Sequence, residues 1–127
     1  MNSCKVCSMF PAELSISRSG ADQVRLTLRC DDDLLWFQGH FPTQPILPGV
    51  TQVDWAMRYG LRLFDLKGSF AGVEKAKFQR PILPGNTIEL LLTWDEEKQK
   101  LVFQYMLCGE GGQPQIVASS GIIKLCR

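Results

Sequence analysis

The chain has 127 residues, of which 45% are hydrophobic, and its 14 basic and 13 acidic side chains leave a formal net charge of +1. A chain of this length buries roughly two-thirds of its unfolded surface, so we expect one domain over residues 1–127, with residues 1–10 frayed. The near-neutral charge provides no field for nucleic acid or an anionic membrane, and no segment reaches the ~18 apolar residues of a membrane helix. We therefore expect neither partner.

The histidine and cysteine content restricts the chemistry further. A multi-histidine metal site cannot be built from the single histidine, His40, and we expect no metal and no cofactor. The five cysteines are odd in number and scattered, which favours a reducing compartment, the cytoplasm, over a disulfide framework. Cys4 and Cys7 form a C-x-x-C pair without a second pair at zinc spacing. The first ten residues also lack the apolar core of a signal peptide.

The N-terminal third predicts a hairpin followed by a stiff loop. Weak alternation over 13–17, turn residues at 19–22 and regular alternation over 24–30 indicate two strands with one solvent-exposed face. The loop covers 36–49, where three prolines exclude both a helix and a central strand.

The period changes at Val50, where apolar residues recur at helical spacing and predict one helix of about four turns. Four further strands are expected over 70–78, 87–94, 100–107 and 115–125. Strands on both sides of a single apolar helix indicate an α+β fold, in which an antiparallel sheet wraps around that helix.

The segment from Gly39 to Asp54 contains the most informative residues. A proline-stiffened loop can hold His40 in place, and Pro48 and Gly49 lead into a helix start whose unpaired N–H groups would stabilise an oxyanion. Asp54 follows within the helix. Taken singly, each feature has a plainer interpretation: a structural histidine, ordinary Pro-Gly punctuation, or a surface pair of Asp54 with Arg58.

Taken together, the string GHFPTQPILPGVTQVD at 39–54 resembles the β-hydroxyacyl-[acyl-carrier-protein] dehydratases of the FabA/FabZ family. In that family H-F-x-x-x-P-x-x-P-G precedes a helix that has Glu or Asp fourteen residues after the histidine, as Asp54 follows His40 here. The string KFQRPILPG at 77–85 is similar to a second family motif. The resemblance covers roughly 24–123 and implies a hotdog fold, a homodimer and active sites at the subunit interface.

The resemblance also implies roles for individual residues. His40 matches the catalytic base, Asp54 the acid reached from the other subunit, and Gly49 the residue whose N–H faces the thioester oxygen. The implied enzyme is a hydro-lyase that converts 3-hydroxyacyl thioesters on acyl carrier protein to trans-2-enoyl thioesters, in fatty acid or polyene-type synthesis. Lys77 and Arg80 would then steer an acidic carrier protein, or they are a solvated strand edge.

Some positions depart from the family pattern. Arg58 stands where the family often has glutamine, and Asp54 would need burial to donate a proton directly; otherwise it can only orient the hydroxyl or a water. The compact length and both motifs look most like the small dehydratases of aryl polyene clusters. Two rival functions stay open: a hotdog thioesterase, and a non-catalytic acyl-binding hotdog subunit.

Overall fold

A computed structural model describes residues 9–34, 37, 45–109, 111 and 113–126. These residues form six strands and one helix, which follow one another along the chain as β1 (Ala12–Ser19), β2 (Gln23–Arg29), α1 (Gly49–Leu63), β3 (Ser69–Phe78), β4 (Thr87–Asp95), β5 (Lys100–Cys108) and β6 (Pro114–Cys126). Each element coincides with a predicted one, and the helix begins one residue before the predicted start. The α+β class is confirmed.

The strands form one antiparallel sheet in the order β1-β2-β4-β5-β6-β3. In this register Val24 of β2 lies opposite Leu92 of β4, and Leu92 lies opposite Phe103 of β5. Side chains of alternate residues therefore share one face and form the core, which includes Val24, Leu26, Leu28, Ile88, Leu90, Leu92, Leu101, Phe103 and Tyr105. The alternation that predicted these strands is the pattern of a sheet buried on one side.

Helix α1 covers this apolar face through Trp55, Ala56, Tyr59 and Gly60. A Cβ at Gly60 would overlap the Leu101 side chain, so the glycine allows the helix to approach β5 closely. At the other end of the helix, Arg18 of β1 donates to the carbonyl of Leu63 over 2.6 Å and satisfies one of the unpaired carbonyls there. In the part of the chain that the structure describes, no helix is long and apolar enough to cross a membrane.

Strand β3 lies at one edge of the sheet and pairs only with β6 among the described strands. Its register shifts twice, between Phe70 and Gly72 and between Glu74 and Lys77. At the second shift Lys75 adopts a left-handed backbone conformation with φ 57°. Phe70 and Phe78 are each 51% exposed. An edge strand with exposed aromatic side chains is a surface that another chain can cover.

Candidate active site

The start of α1 presents backbone donors. Pro48 is extended, with φ −61° and ψ 147°, and its carbonyl accepts hydrogen bonds from the N–H groups of Thr51 and Gln52, each at 3.1 Å. The N–H groups of Gly49 and Val50 lie in the first turn, where α-helical geometry provides no partner within the helix. No acidic side chain lies in this turn, and no side chain caps it among the described residues. The positive end of the helix is therefore available to an anion.

Gly49 lies directly beneath the ring of Phe78. A Cβ at position 49 would lie 2.9 Å from Phe78 Cζ, closer than side chains pack. The last residue of β3, in the second motif, thus covers the backbone of the first motif. Only glycine leaves room for this contact.

The two motifs also meet through their main chains. The Leu47 N–H donates to the Ile82 carbonyl over 2.8 Å, and both side chains are buried. The turn after Ile82 is held by Asn86, whose Oδ1 accepts from the Leu83 N–H at 2.8 Å, and Gly85 adopts φ +87°, which favours glycine. The second motif therefore braces the loop that ends at Gly49.

A groove of about 330 Å³ surrounds this contact, and we call it the Gly49 groove. Its lining residues come from both motifs and from α1: Ile46, Leu47, Gly49, Gln52, Phe78, Gln79, Arg80 and Pro81. Arg80, one of the two predicted carrier-protein contacts, is thus brought to Gly49. Lys77, the other, lines a separate groove over the β3 irregularity.

Asp54 lies on a different side of α1. Its Oδ2 accepts a hydrogen bond from Arg58 Nε at 2.9 Å, and the two side chains are 36% and 59% exposed. A second groove, of about 520 Å³, contains this pair, and we call it the Asp54 groove. Its lining is otherwise mostly apolar: Met9, Phe10, Val50 and Thr51. Because an arginine only donates hydrogen bonds, Asp54 is the acceptor of this pair.

The two grooves share no lining residue. Gly49 and Asp54 are five residues apart, which places them about 140° apart around the helix axis at 3.6 residues per turn. One copy of the chain therefore presents the predicted oxyanion donor and the predicted acid to different surroundings. His40, the predicted base, lies outside the described residues.

Other reactive groups near the core are held in their neutral forms. Burial, and to a smaller extent the charge of Asp31, raises the pKa of the Cys30 thiol to about 12, so it is no nucleophile at neutral pH. Burial likewise raises the pKa of Tyr59 and of Tyr105. Among the described residues no cluster of three His, Cys, Asp or Glu side chains could hold a metal ion.

The structure adds contacts that the sequence did not indicate. Residues 1–10 were expected to be frayed, but the Met9 carbonyl accepts a hydrogen bond from Trp55 Nε1 at 3.2 Å. Phe10 packs edge-on against Tyr59, with ring centroids 6.4 Å apart. These two residues therefore have defined contacts within the fold, and both line the Asp54 groove. The other addition is Gln52, a polar residue buried in the first turns of α1.

Several known proteins are similar to this chain. Among curated proteins, the 3-hydroxyacyl-[acyl-carrier-protein] dehydratase FabZ of Latilactobacillus sakei is 34% identical over 104 residues, 76% of this chain and 68% of that protein. The FabZ of Mannheimia succiniciproducens is 44% identical over 71 residues, 50% of this chain and 47% of that protein. The matched segments thus span about half the length of several curated relatives.

Solved structures share the fold along nearly the whole chain. The dehydratase heterocomplex ApeI:P from Xenorhabdus doucetiae contains a chain that matches with a TM-score of 0.84 and 44% identity, covering 94% of this chain and 100% of that one. The dehydratase domain of the polyketide PpsC from Mycobacterium tuberculosis, at 15% identity and a TM-score of 0.71, shares the fold alone. The predicted hotdog fold is thereby confirmed.

The sequence profile of the ApeI-like family, described as ApeI dehydratase, matches residues 16–120. That span includes both motifs, all of α1, four complete strands and parts of β1 and β6. The chain therefore belongs to the ApeI-like family of dehydratases, a relative of FabZ with the hotdog fold.

Proposed function

We propose that this protein removes water from 3-hydroxyacyl thioesters carried on acyl carrier protein and yields trans-2-enoyl thioesters. The observation that carries this proposal is the geometry at the start of α1. The position of Gly49 leaves no room for a side chain beneath Phe78, and the Gly49 N–H has no partner within the helix. A thioester oxygen that becomes negative during the reaction needs such a donor. The names of the FabZ relatives support the same activity.

In the proposed mechanism His40 takes a proton from the α-carbon, and the electron pair of the broken carbon–hydrogen bond moves onto the thioester oxygen. The Gly49 N–H and the helix dipole stabilise the resulting enolate. The electron pair on the thioester oxygen then returns toward the α-carbon. A double bond forms between the α- and β-carbons, and the β-carbon–oxygen bond breaks. The proton taken up by His40 leaves with the hydroxyl as water, so no other reactant is needed. Asp54, itself oriented by its hydrogen bond from Arg58, accepts a hydrogen bond from the hydroxyl and orients it.

The catalytic unit is proposed to be a homodimer in which Asp54 of one copy completes the site of the other. The separate positions of Gly49 and Asp54 around α1 support this arrangement. The surface near Gly49 and β3 exposes large apolar side chains that a second copy would cover: Ile46, Val50, Phe70, Phe78 and Leu83. Pairing along β3 would also remove its open edge.

A heteromer is the alternative, because the related ApeI protein was solved in a heterocomplex, ApeI:P. Light scattering of the purified chain tests the choice. A particle of twice the chain mass of 14.3 kDa supports the homodimer. A monomer would contradict it and would indicate that a second kind of subunit completes the site.

The proposed substrate carrier is an acyl carrier protein in the cytoplasm. Arg80 lines the Gly49 groove, and Lys77, which lines the separate groove over the β3 irregularity, directly precedes Phe78 at the exposed end of β3. Carrier proteins are acidic and hold their acyl chain on a phosphate ester, so both cations would favour binding. Because both motifs resemble the small aryl polyene dehydratases, we propose a polyene intermediate as the natural acyl chain.

The test is incubation of the purified protein with a 3-hydroxyacyl thioester of acyl carrier protein, followed by mass spectrometry of the carrier. Loss of one water from the acyl chain supports the proposal. Release of a free acid would instead identify a thioesterase, and an unchanged carrier would indicate a non-catalytic acyl-binding subunit.

Replacing Gly49 by alanine is expected to lower the dehydration rate at least tenfold while leaving the fold intact. The new methyl group meets the far end of the Phe78 ring, and because this side chain is 51% exposed we expect it to turn aside, so the thermal midpoint should move by only a few degrees. Rates and melting curves of Gly49→Ala and of Gly49→Ala/Phe78→Leu check this. The smaller side chain should restore much of the lost rate, and a double variant no faster than the single one would contradict the steric explanation.

Arg58→Ala is expected to lower the dehydration rate roughly tenfold, because Asp54 loses the donor that orients it. Arg58→Gln retains an N–H donor and should stay within about threefold of wild type. Arg62→Ala is the matched control, since Arg62 is an equally exposed ion-paired arginine on α1 that contacts Glu13 instead. Steady-state rates of the three variants decide the matter. Equal losses in all three would show that the effect is not specific to Asp54.

A further inference from the structure

Gln52 is a buried polar residue with both ends of its side-chain amide engaged. It is 3% exposed on the inner face of α1. Its Nε2 donates to the Leu47 carbonyl over 3.2 Å, and its Oε1 accepts from the Ser119 hydroxyl of β6 at 2.5 Å. The amide therefore links the loop before the helix to a strand 67 residues further along the chain.

Burying the side-chain amide of Gln52 costs free energy unless its hydrogen bonds within the protein replace those that it loses to water. A leucine would bury apolar surface at the same position, whereas an amide must first be stripped of water. The partner it serves is the Leu47 carbonyl, in a loop that has no strand or helix ladder to satisfy it. The backbone N–H group of Leu47 also has a partner, since it donates to the Ile82 carbonyl at 2.8 Å. Leu47 is thus held on both sides of its backbone.

The position of Leu47 determines that of Gly49. Only Pro48 separates them, and its ring restricts φ, so few torsions remain free between the two residues. With Leu47 fixed, the Gly49 N–H has a fixed direction. If Leu47 were released, this N–H would shift relative to the thioester oxygen that it is proposed to bind.

We propose that Gln52 is a positioning residue. Its side-chain amide connects the Leu47 carbonyl to Ser119 of β6 by hydrogen bonds and thereby orients the Gly49 N–H toward the substrate oxygen. This inference rests on the proposed dehydratase function. It assigns a role to a residue whose side-chain amide is already hydrogen-bonded at both ends within the protein.

The main test is Gln52→Met, which keeps the length of the side chain and removes both hydrogen bonds. We expect kcat to fall roughly tenfold to a hundredfold with KM within about twofold, since a misaimed donor weakens the transition state more than binding. Ser119→Ala leaves the bond to Leu47 and should give a smaller loss of kcat. Tyr105→Phe is the matched control, because its hydroxyl donates to the main-chain carbonyl of Gln52 over 2.7 Å and never contacts the side-chain amide.

The control should lose thermal stability and retain kcat within about twofold. If Gln52→Met and Tyr105→Phe lower kcat equally, or if Gln52→Met changes only the melting temperature, Gln52 is a structural residue and the proposal fails.

A second measurement does not depend on activity. Hydrogen exchange at the Leu47 amide should be several-fold faster in Gln52→Met than in Tyr105→Phe at matched stability, and unchanged exchange would also overturn the proposal. An inactive wild-type protein would refute the dehydratase function. Faster exchange at Leu47 in Gln52→Met would in that case still establish that the Gln52 amide holds Leu47 in place.

Discussion

Mixing the His40→Ala and Asp54→Asn variants is expected to restore about a quarter of the wild-type dehydration rate, although each variant alone should lose about 10²–10⁴-fold. Random pairing makes half of the dimers mixed, and in a two-fold symmetric dimer each mixed pair contains one intact site and one doubly defective site. The expectation follows from the two grooves, which place Gly49 and Asp54 of one chain in separate surroundings. Co-expression with two affinity tags, followed by the carrier-protein assay, gives the measurement.

A matched mixture tests which residues belong to the same half of the site. Combining His40→Ala with Gly49→Ala should add nothing beyond the residual activity of the Gly49 variant, because both residues are proposed to come from the same chain. Restored activity in this mixture would contradict the proposal that His40 and Gly49 come from one chain. A lack of restored activity when His40→Ala is combined with Asp54→Asn would contradict the proposal that Asp54 comes from the other chain.

Replacing Trp55 by alanine is expected to lower the free energy of unfolding by about 3–5 kcal/mol. Trp55 is fully buried, is one of the largest core side chains and lies between α1 and the sheet. Its Nε1 also donates to the Met9 carbonyl at 3.2 Å, so the substitution releases the N-terminal segment as well. A whole domain is stable by only about 5–15 kcal/mol, and this loss is therefore a large share.

Urea denaturation at a fixed protein concentration provides the measurement, because the stability of the proposed dimer would depend on concentration. Trp55→Phe is the matched control: it keeps an aromatic ring in the core and removes the N–H donor, with an expected cost of about 1–2 kcal/mol. A loss below about 1 kcal/mol for the alanine variant would show that Trp55 is not a central core residue.

The strands and the helix could be predicted because their signals are local. Alternation along residues 87–94 and 100–107 required only a sheet with one buried face, and β4 and β5 have that face. The change of period at Val50 located the helix to within one residue. The proline-rich motifs placed Gly49 at the helix start, as observed.

Contacts between distant residues could not be predicted in this way. Nothing in the neighbourhood of Gln52 indicates that its partner is Ser119, since only the strand order brings β6 beneath the helix. The docking of Met9 on Trp55 also depends on where the folded helix lies, which the composition of the N-terminus does not reveal. The role of His40 stays a prediction, because it rests on the motif alone.

The separate Gly49 and Asp54 grooves also affect how such a protein can evolve. In the proposed dimer, each chain contributes the base and the oxyanion donor to one site and the acid to the other. After gene duplication, one copy can lose His40 while the other loses Asp54, and the pair still has one complete site. Natural selection can then act on the surviving site alone, while the decayed site is free to become a surface for recognising longer substrates or other proteins.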